Sequence, residues 1–248
     1  MFYTLTKHDG TLVIIDGGWV ENADQVRKVI RNHGGKVHTW ILTHYHPDHC
    51  GALAELYPEM KDSIGQICVT GLDLETFNEV AQWWDVPEIY QKYAEATAGA
   101  DNIRVMQRGD TMDVGTLHFE FFSAWDDLTR ETASDWPNNS SLVFKVTHHQ
   151  ESILFMGDVH QPAMGELLLR LYGAERLSAK YVQPGHHGNA SMPSSFYDAL
   201  SPEIMVFDAP EWLMVGEQWA AKDLKAWCDE KGIRVIDQST APNQWILR

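Results

Sequence analysis

The stretch Thr43-His44-Tyr45-His46-Pro47-Asp48-His49-Cys50-Gly51 gathers three histidines and a carboxylate within six positions. It follows directly on the apolar run Val37-His38-Thr39-Trp40-Ile41-Leu42, whose β-branched and aromatic residues predict a buried strand. Residues two apart in an extended segment share a face, so His44 and His46 point the same way. Pro47 ends the strand and lets Asp48 and His49 turn toward a second point. Two imidazoles plus an adjacent carboxylate–imidazole pair therefore predict two neighbouring metal sites. Imidazole with carboxylate suits zinc, manganese or iron better than magnesium or calcium, which prefer oxygen ligands. Several imidazoles packed together without a cation would repel one another or leave nitrogens unpaired. Cys50 is expected to be a small buried residue beside this cluster, not a ligand.

Two later positions offer further ligands. Asp158 follows a run of Ile, Leu and Phe and is preceded by Gly157, so its carboxylate falls at a strand end, a natural bridge between two metals. His186 and His187 sit between Gly185 and Gly188. Neighbouring side chains of an extended backbone diverge, so one of the two is expected to bind metal and the other to contact substrate or support a ligand. The sequence leaves open which does which.

The elements that must position these groups follow from hydrophobic periodicity. A strand is predicted over 11–15, closed by Asp16-Gly17-Gly18, then a helix over 24–33 with Val26, Val29, Ile30 and His33 on one face. After the strand at 37–42 come a short helix from about 51 to 57, stopped by Pro58, and a strand over 64–70. Residues 72–98 read as helical, with Phe77, Val80, Ala81 and Trp84 in one stripe and Tyr90 and Tyr93 continuing it. That segment is read as either a lid over the metal site or ordinary core. Strands are predicted over 103–106, 117–122, 142–147 and 152–156, with a loop over 125–139 and an exposed hairpin turn at His148-His149-Gln150-Glu151. A helix over 162–172 presents Met164, Leu167, Leu168 and Leu171, and one over 217–231 turns Ala220, Leu224 and Trp227 inward. Strands at 181–182, 204–207, 233–236 and 245–247 complete an α/β pattern. No low-complexity linker divides the chain, which reads as one domain over 1–248 built from two β-then-α halves.

Composition narrows the function. With 248 residues, 44% hydrophobic, and ten Trp, the chain can bury a large core. A formal net charge of −16 makes long nucleic acid a poor substrate, because such binding needs cationic neutralisation of phosphates. No apolar run is long enough to span a bilayer. The start lacks the basic and apolar regions of a secretory signal, and three scattered cysteines form no disulfide framework, so the cytoplasm is the expected compartment.

The spacing His44-x-His46-x-Asp48-His49, followed by Gly157-Asp158 and a histidine after a further strand, resembles the metallo-β-lactamase-fold hydrolase superfamily. The resemblance runs from Ile14-Ile15-Asp16-Gly17-Gly18 to Phe207. Asn138-Asn139-Ser140-Ser141-Leu142-Val143 and Pro184-Gly185-His186-His187-Gly188 resemble one branch of it. That branch holds the hydrolase domain of the bacterial DNA-uptake channel protein and the choline-phosphoesterase of cell-wall teichoic acids. The resemblance implies a four-layer αβ/βα sandwich with metals at one edge.

It also implies roles. His44 and His46 would hold one metal, and Asp48, His49 and one of His186 or His187 the other, with Asp158 bridging. Asp16 would orient ligands from behind, and Asn138 and Asn139 would support the ligands or contact substrate. Two departures stand out. Most of the superfamily has a histidine where this chain has Pro137-Asn138-Asn139-Ser140, leaving fewer imidazoles at the first metal. His118 and His160 are the available substitutes, though each reads more readily as an ordinary strand or helix residue. There is also little room for the strand that usually precedes the one ending at Ile15.

Two divalent ions, zinc first and manganese second, would make a nucleophile of water at neutral pH, with Asp48 orienting it. His46 stands where the oxygen-reducing di-iron enzymes of this fold typically carry glutamate. The expected reaction is hydrolysis of a small phosphodiester or phosphate ester. Acyl (lactone or thioester) hydrolysis is the alternative within enzymes, and a metal-poor relative that binds a ligand without turnover is the alternative outside them. Oligomeric state is not legible.

Overall fold

Short Val- and Ile-rich runs separated by amphipathic stretches fold as strands joined by covering helices, and the chain follows that rule in two compact units, Met1–Met106 and Gln107–Arg248. The computed structural model describes residues 1–216 and 221–247.

The first unit runs β1 (Tyr3–Thr6), β2 (Leu12–Ile15), α1 (Ala23–Asn32), β3 (Val37–Leu42), α2 (Pro47–Met60), β4 (Ile64–Val69), α3 (Leu74–Val80), α4 (Pro87–Ala96) and β5 (Ile103–Val105). Its sheet has the order β1-β2-β3-β4-β5, parallel except for the antiparallel β1–β2 edge. β2 and most of β3 are fully buried, as parallel strands covered on both faces must be. The strand expected to be missing before Ile15 is present: β1 pairs Tyr3 with Ile15 and Thr6 with Leu12. Its alternating Tyr-Thr-Leu-Thr suits a sheet edge and was masked by its position at the very start of the sequence.

Helix α2 is longer than expected. It opens at Pro47, whose absent N–H costs nothing in a first turn, so Asp48 and His49 are helical and not in a loop. It also runs through Pro58 to Met60, because that proline falls in the last turn, where only one interior hydrogen bond is lost. The 72–98 segment breaks into α3 and α4. Phe77, Tyr90 and Tyr93 are buried, whereas Trp84, expected in the same stripe, lies beyond the end of α3 and is exposed together with Trp83.

The second unit runs β6 (Thr111–Val114), β7 (Leu117–Ser123), α5 (Asp127–Thr132), α6 (Trp136–Asn139), β8 (Val143–His148), β9 (Glu151–Phe155), α7 (Pro162–Leu177), β10 (Tyr181–Gln183), α8 (Ser194–Leu200), β11 (Ile204–Phe207), α9 (Glu211–Val215), α10 (Ala221–Lys231) and β12 (Arg234–Asp237). The sheet order is β12-β11-β10-β9-β8-β7-β6, antiparallel from β6 to β9 and parallel from β9 to β12. Met156, Leu167, Leu168, Val182, Phe196, Met205 and Phe207 centre its core.

Several expectations are corrected in this unit. β6 was not anticipated, although its burial alternates strictly. The expected loop at 125–139 contains α5 and α6, whose N-termini are capped by Asp126 and Asp135. α7 continues past residue 172 across a kink at Gly173, and Leu171 is exposed. Residues 245–247 form no strand, and Trp245 stacks on Tyr181. The expected helix start at residue 217 and the inward position of Ala220 lie outside the described residues.

Candidate metal centre

In the first unit the ligand candidates leave β3 along Thr43–His46 and enter the first turn of α2. His46 is the N-cap residue, and Asp48 lies where the helix dipole favours a negative charge. The rings of His44 and His46 are 4.8 Å apart and those of His44 and His49 4.1 Å, all three buried.

Asp16 organises this group from the end of β2. It is fully buried, takes a left-handed backbone (φ 56), and accepts from Thr43 N at 2.8 Å and Thr43 Oγ1 at 3.0 Å and 2.9 Å. Its Oδ2 lies 2.9 Å from His49 Nδ1. A carboxylate only accepts, so His49 carries its proton on Nδ1 and presents Nε2, 3.5 Å from Asp48 Oδ2. Thr43 Oγ1, already donating to Asp16, lies 3.1 Å from His44 Nδ1 and orients that ring the same way. Burial, then Asp48 and Asp16, push the Cys50 thiol far above its ordinary value, so it is a neutral packing residue donating to Tyr45 O.

In the second unit Asp158 follows β9, its N–H held by Ser141 Oγ at 3.0 Å. The His186–His187 pair occupies a tight turn in which both residues are left-handed (φ 51 and 58). Such consecutive non-glycine residues store strain of about 1–3 kcal/mol each, tolerated where surroundings enforce it. Enforcement comes from buried Gln183, whose Oε1 accepts from Met156 N at 2.8 Å while Nε2 donates to Pro184 O at 2.7 Å. His186 N donates to Gly157 O at 3.0 Å. The Asp158 loop and the histidine loop are thus tied together.

The two histidines part company. His187 is buried, with Nδ1 3.0 Å from Asp208 Oδ1 and Nε2 3.5 Å from Asp158 Oδ2. His186 instead faces His160 at 5.0 Å between ring centres. His160 Nε2 lies 3.6 Å from Asp135 Oδ2. Asn139 braces the chain after Asp158 by accepting from His160 N at 3.2 Å. Asn138 donates to Asp135 Oδ2 at 3.0 Å, and its Oδ1 is buried with no hydrogen-bond partner. His118 is on the β6–β7 hairpin, exposed and paired with Asp113, far from any ligand role in its unit.

Each unit therefore carries candidate metal ligands: buried His44, His46 and His49 with partly exposed Asp48 in the first, and buried Asp158 and His187 in the second. Asp208, and Asp85 with its Oδ1 2.9 Å from His46 Nε2, were missed in the sequence, since a lone acid far from the cluster carries no local signal; Gln183 was missed although it stands three positions before His186. Imidazoles whose Nδ1 is fixed by a carboxylate or hydroxyl, with Nε2 presented beside a second carboxylate, fit a divalent metal.

Residues 2–65 match the family model described as the metallo-beta-lactamase superfamily. Among solved structures, the chain is similar to the metallo-beta-lactamase fold protein YhfI from Bacillus subtilis (12% identity, TM-score 0.57, 98% of this chain and 89% of that one). It is similar as well to Igni18, a metallo hydrolase from Ignicoccus hospitalis KIN4/I (14%, TM-score 0.53, 99% and 98%). A third likeness is to CmlA, a diiron beta-hydroxylase from Streptomyces venezuelae (13%, TM-score 0.57, 95% and 52%). The chain spans about half the length of the CmlA structures it matches. No curated protein matches it. At these identities the structural likeness shows the fold, a mixed α/β arrangement of the metallo-β-lactamase type. The family match is confined to residues 2–65, the stretch that carries His44, His46, Asp48 and His49. Among the described residues no helix is long and apolar enough to cross a membrane.

Proposed function

We propose that the two ligand sets act as one dinuclear centre that hydrolyses a small phosphodiester or phosphate ester. His44 and His46 with Asp158 would serve one ion, and Asp48, His49 and His187 the other. The observation that carries the reading is the recurrence in both units of an imidazole fixed through Nδ1 by a buried aspartate, His49 by Asp16 and His187 by Asp208. A carboxylate behind a histidine sets its tautomer and raises its basicity as a ligand.

Bound there, two divalent ions would supply a nucleophile from water at neutral pH and neutralise charge developing on the attacked oxygen. Asp48, in the first turn of α2 and partly open to solvent, orients the attacking water and carries its proton toward the leaving group. Asn138 offers its buried Oδ1 to a substrate hydrogen-bond donor. His186, whose ring faces His160, would meet substrate. The imidazole-rich set suits zinc first and manganese second, and hydrolysis better than oxygen chemistry. The preference for phosphate esters over acyl compounds rests on the resemblance of the Asn138-Asn139 and His186-His187 motifs to phosphoesterase relatives.

The deciding experiment compares turnover of bis-p-nitrophenyl phosphate with that of p-nitrophenyl acetate after zinc or manganese supplementation. Preference for the phosphate diester supports the reading, and preference for the acetate supports acyl hydrolysis. Fewer than about one bound metal per chain after supplementation would favour a ligand-binding protein without turnover.

A further inference from the structure

The turn that carries His186 and His187 must be anchored where it begins. The first N–H groups of a helical turn have no partner inside it, and side chains near its start usually supply the acceptors. Pro184, at the N-cap position here, has no side-chain acceptor, and Gly185 is buried away from water. Left alone, the Gly185 N–H would bear the full cost of a desolvated donor.

The acceptor comes from twelve residues downstream. Gly185 N donates to the Tyr197 hydroxyl at 3.1 Å, and Ser191 Oγ lies 2.6 Å from the same oxygen. Tyr197 belongs to α8 and is fully buried. Burial pushes its phenol up to about 12, against the opposing hydrogen bonds of Ser191 and Gly185, so it keeps its proton at neutral pH. A neutral phenol that accepts from an amide still has its own proton to give, and Ser191 Oγ is the acceptor in reach. One hydroxyl thus joins the start of the histidine turn, the segment leaving it and helix α8.

The remainder of the turn is held from other directions. His186 N donates to Gly157 O at 3.0 Å, and Asn189 N donates back to His186 O at 2.8 Å. Gly188, left-handed at φ 86, lies so close to the Phe207 ring that a Cβ there would stand 2.7 Å from it. Phe207 directly precedes Asp208, the partner of His187. Two strained histidines relax when any one of these restraints is released, and the phenol is the restraint at the leading end.

We infer that Tyr197 is a positioning residue for the second unit's ligands, setting where His187 stands by holding the first peptide of its turn. Ser191 orients the phenol that does so. The inference rests on the metal-centre reading, and it goes beyond it by naming a hydroxyl that acts on a ligand through the backbone.

The test uses the full-length protein, with zinc titrated against a chromophoric chelator and the metal-free backbone followed by NMR. Tyr197→Phe keeps the ring and deletes the hydroxyl. It should weaken one zinc equivalent by about tenfold, the weight of a single buried donor left unpaired, and leave the other unchanged. Without metal, its Gly185 amide should exchange faster with solvent, and the backbone couplings of His186 and His187 should depart from left-handed values. Ser191→Ala leaves Gly185 bonded to the phenol and should weaken the same zinc equivalent by less. Phe196→Leu, at the neighbouring buried ring of α8, controls for general loosening: it should lower the unfolding temperature and change neither zinc affinity. Equal zinc affinities in wild type and Tyr197→Phe, or a loss in Phe196→Leu as large as in Tyr197→Phe, would overturn the inference. Should Tyr197→Phe not fold, Ser191→Ala decides, and unchanged zinc affinity there overturns it. Failure of wild type to bind zinc at all would instead sink the metal-centre reading.

Discussion

Gly185→Ala tests whether the second unit's ligands depend on one close backbone approach. The alanine Cβ would lie 1.9 Å from Val159 O, against the 3.0 Å below which real Cβ atoms are essentially never found, so the two backbones must part by about 1.1 Å. The obstacle is a carbonyl and not a flexible side chain, and Gly185 is not in the left-handed region, so the effect is purely one of space. Val159 follows Asp158 and Gly185 precedes His186, which carries the displacement into the 3.5 Å separation of His187 Nε2 and Asp158 Oδ2. Metal–ligand distances tolerate only about 0.2 Å. Zinc affinity should therefore fall by at least about tenfold, with a stability loss near the upper end of the 1–3 kcal/mol typical of overpacking. Chelator competition and urea unfolding of the metal-free protein measure the two separately. A variant with wild-type zinc affinity and unfolding within about 0.5 kcal/mol of wild type would refute the reasoning.

Other substitutions probe neighbouring parts. His49→Ala should lower turnover by more than about a hundredfold and remove metal, while metal-free unfolding changes little; near-normal turnover would contradict the site. Asp208→Asn should weaken metal by about 10- to 100-fold through His187, seen in the same competition assay. Phe77→Ala, a fully buried ring edge-on to His46, should cost about 3–5 kcal/mol in urea unfolding. Asp126 caps α5 and meets Arg108; burial raises its pKa, but the guanidinium and Thr129 outweigh this and leave it below the ordinary value. A lowered folded pKa means stability present above roughly pH 4 and lost on acidification. Asp126→Asn should thus cost about 1 kcal/mol at neutral pH, and the gap should close in acid unfolding.

The centre of the first unit was legible because its signals are local. A β-branched run marks β3, and His44 to His49 are close enough in sequence to be read as one group. Helices α5 and α6 left a readable trace in Asp126 and Asp135 placed before their first turns, which the aromatic, aperiodic composition obscured. Asp85 and Asp208 left none, since only the tertiary fold puts them against His46 and His187. The choice between those two adjacent histidines was equally hidden, because it depends on left-handed backbone at both and on Asp208 meeting His187 across the fold. The apolar 245–247 looked like a strand because local pattern cannot say whether a ladder partner exists.

Contiguity of the first ligand set has a thermodynamic consequence. A hexapeptide with three histidines and an aspartate chelates zinc even in a denatured chain, so the metal stabilises both sides of the folding equilibrium. Added zinc should then raise the unfolding temperature less than its native affinity implies. What distinguishes the folded binder is Asp16, twenty-eight positions upstream of His44 and absent from the hexapeptide, which reaches Thr43 and His49 only after β2 and β3 have paired.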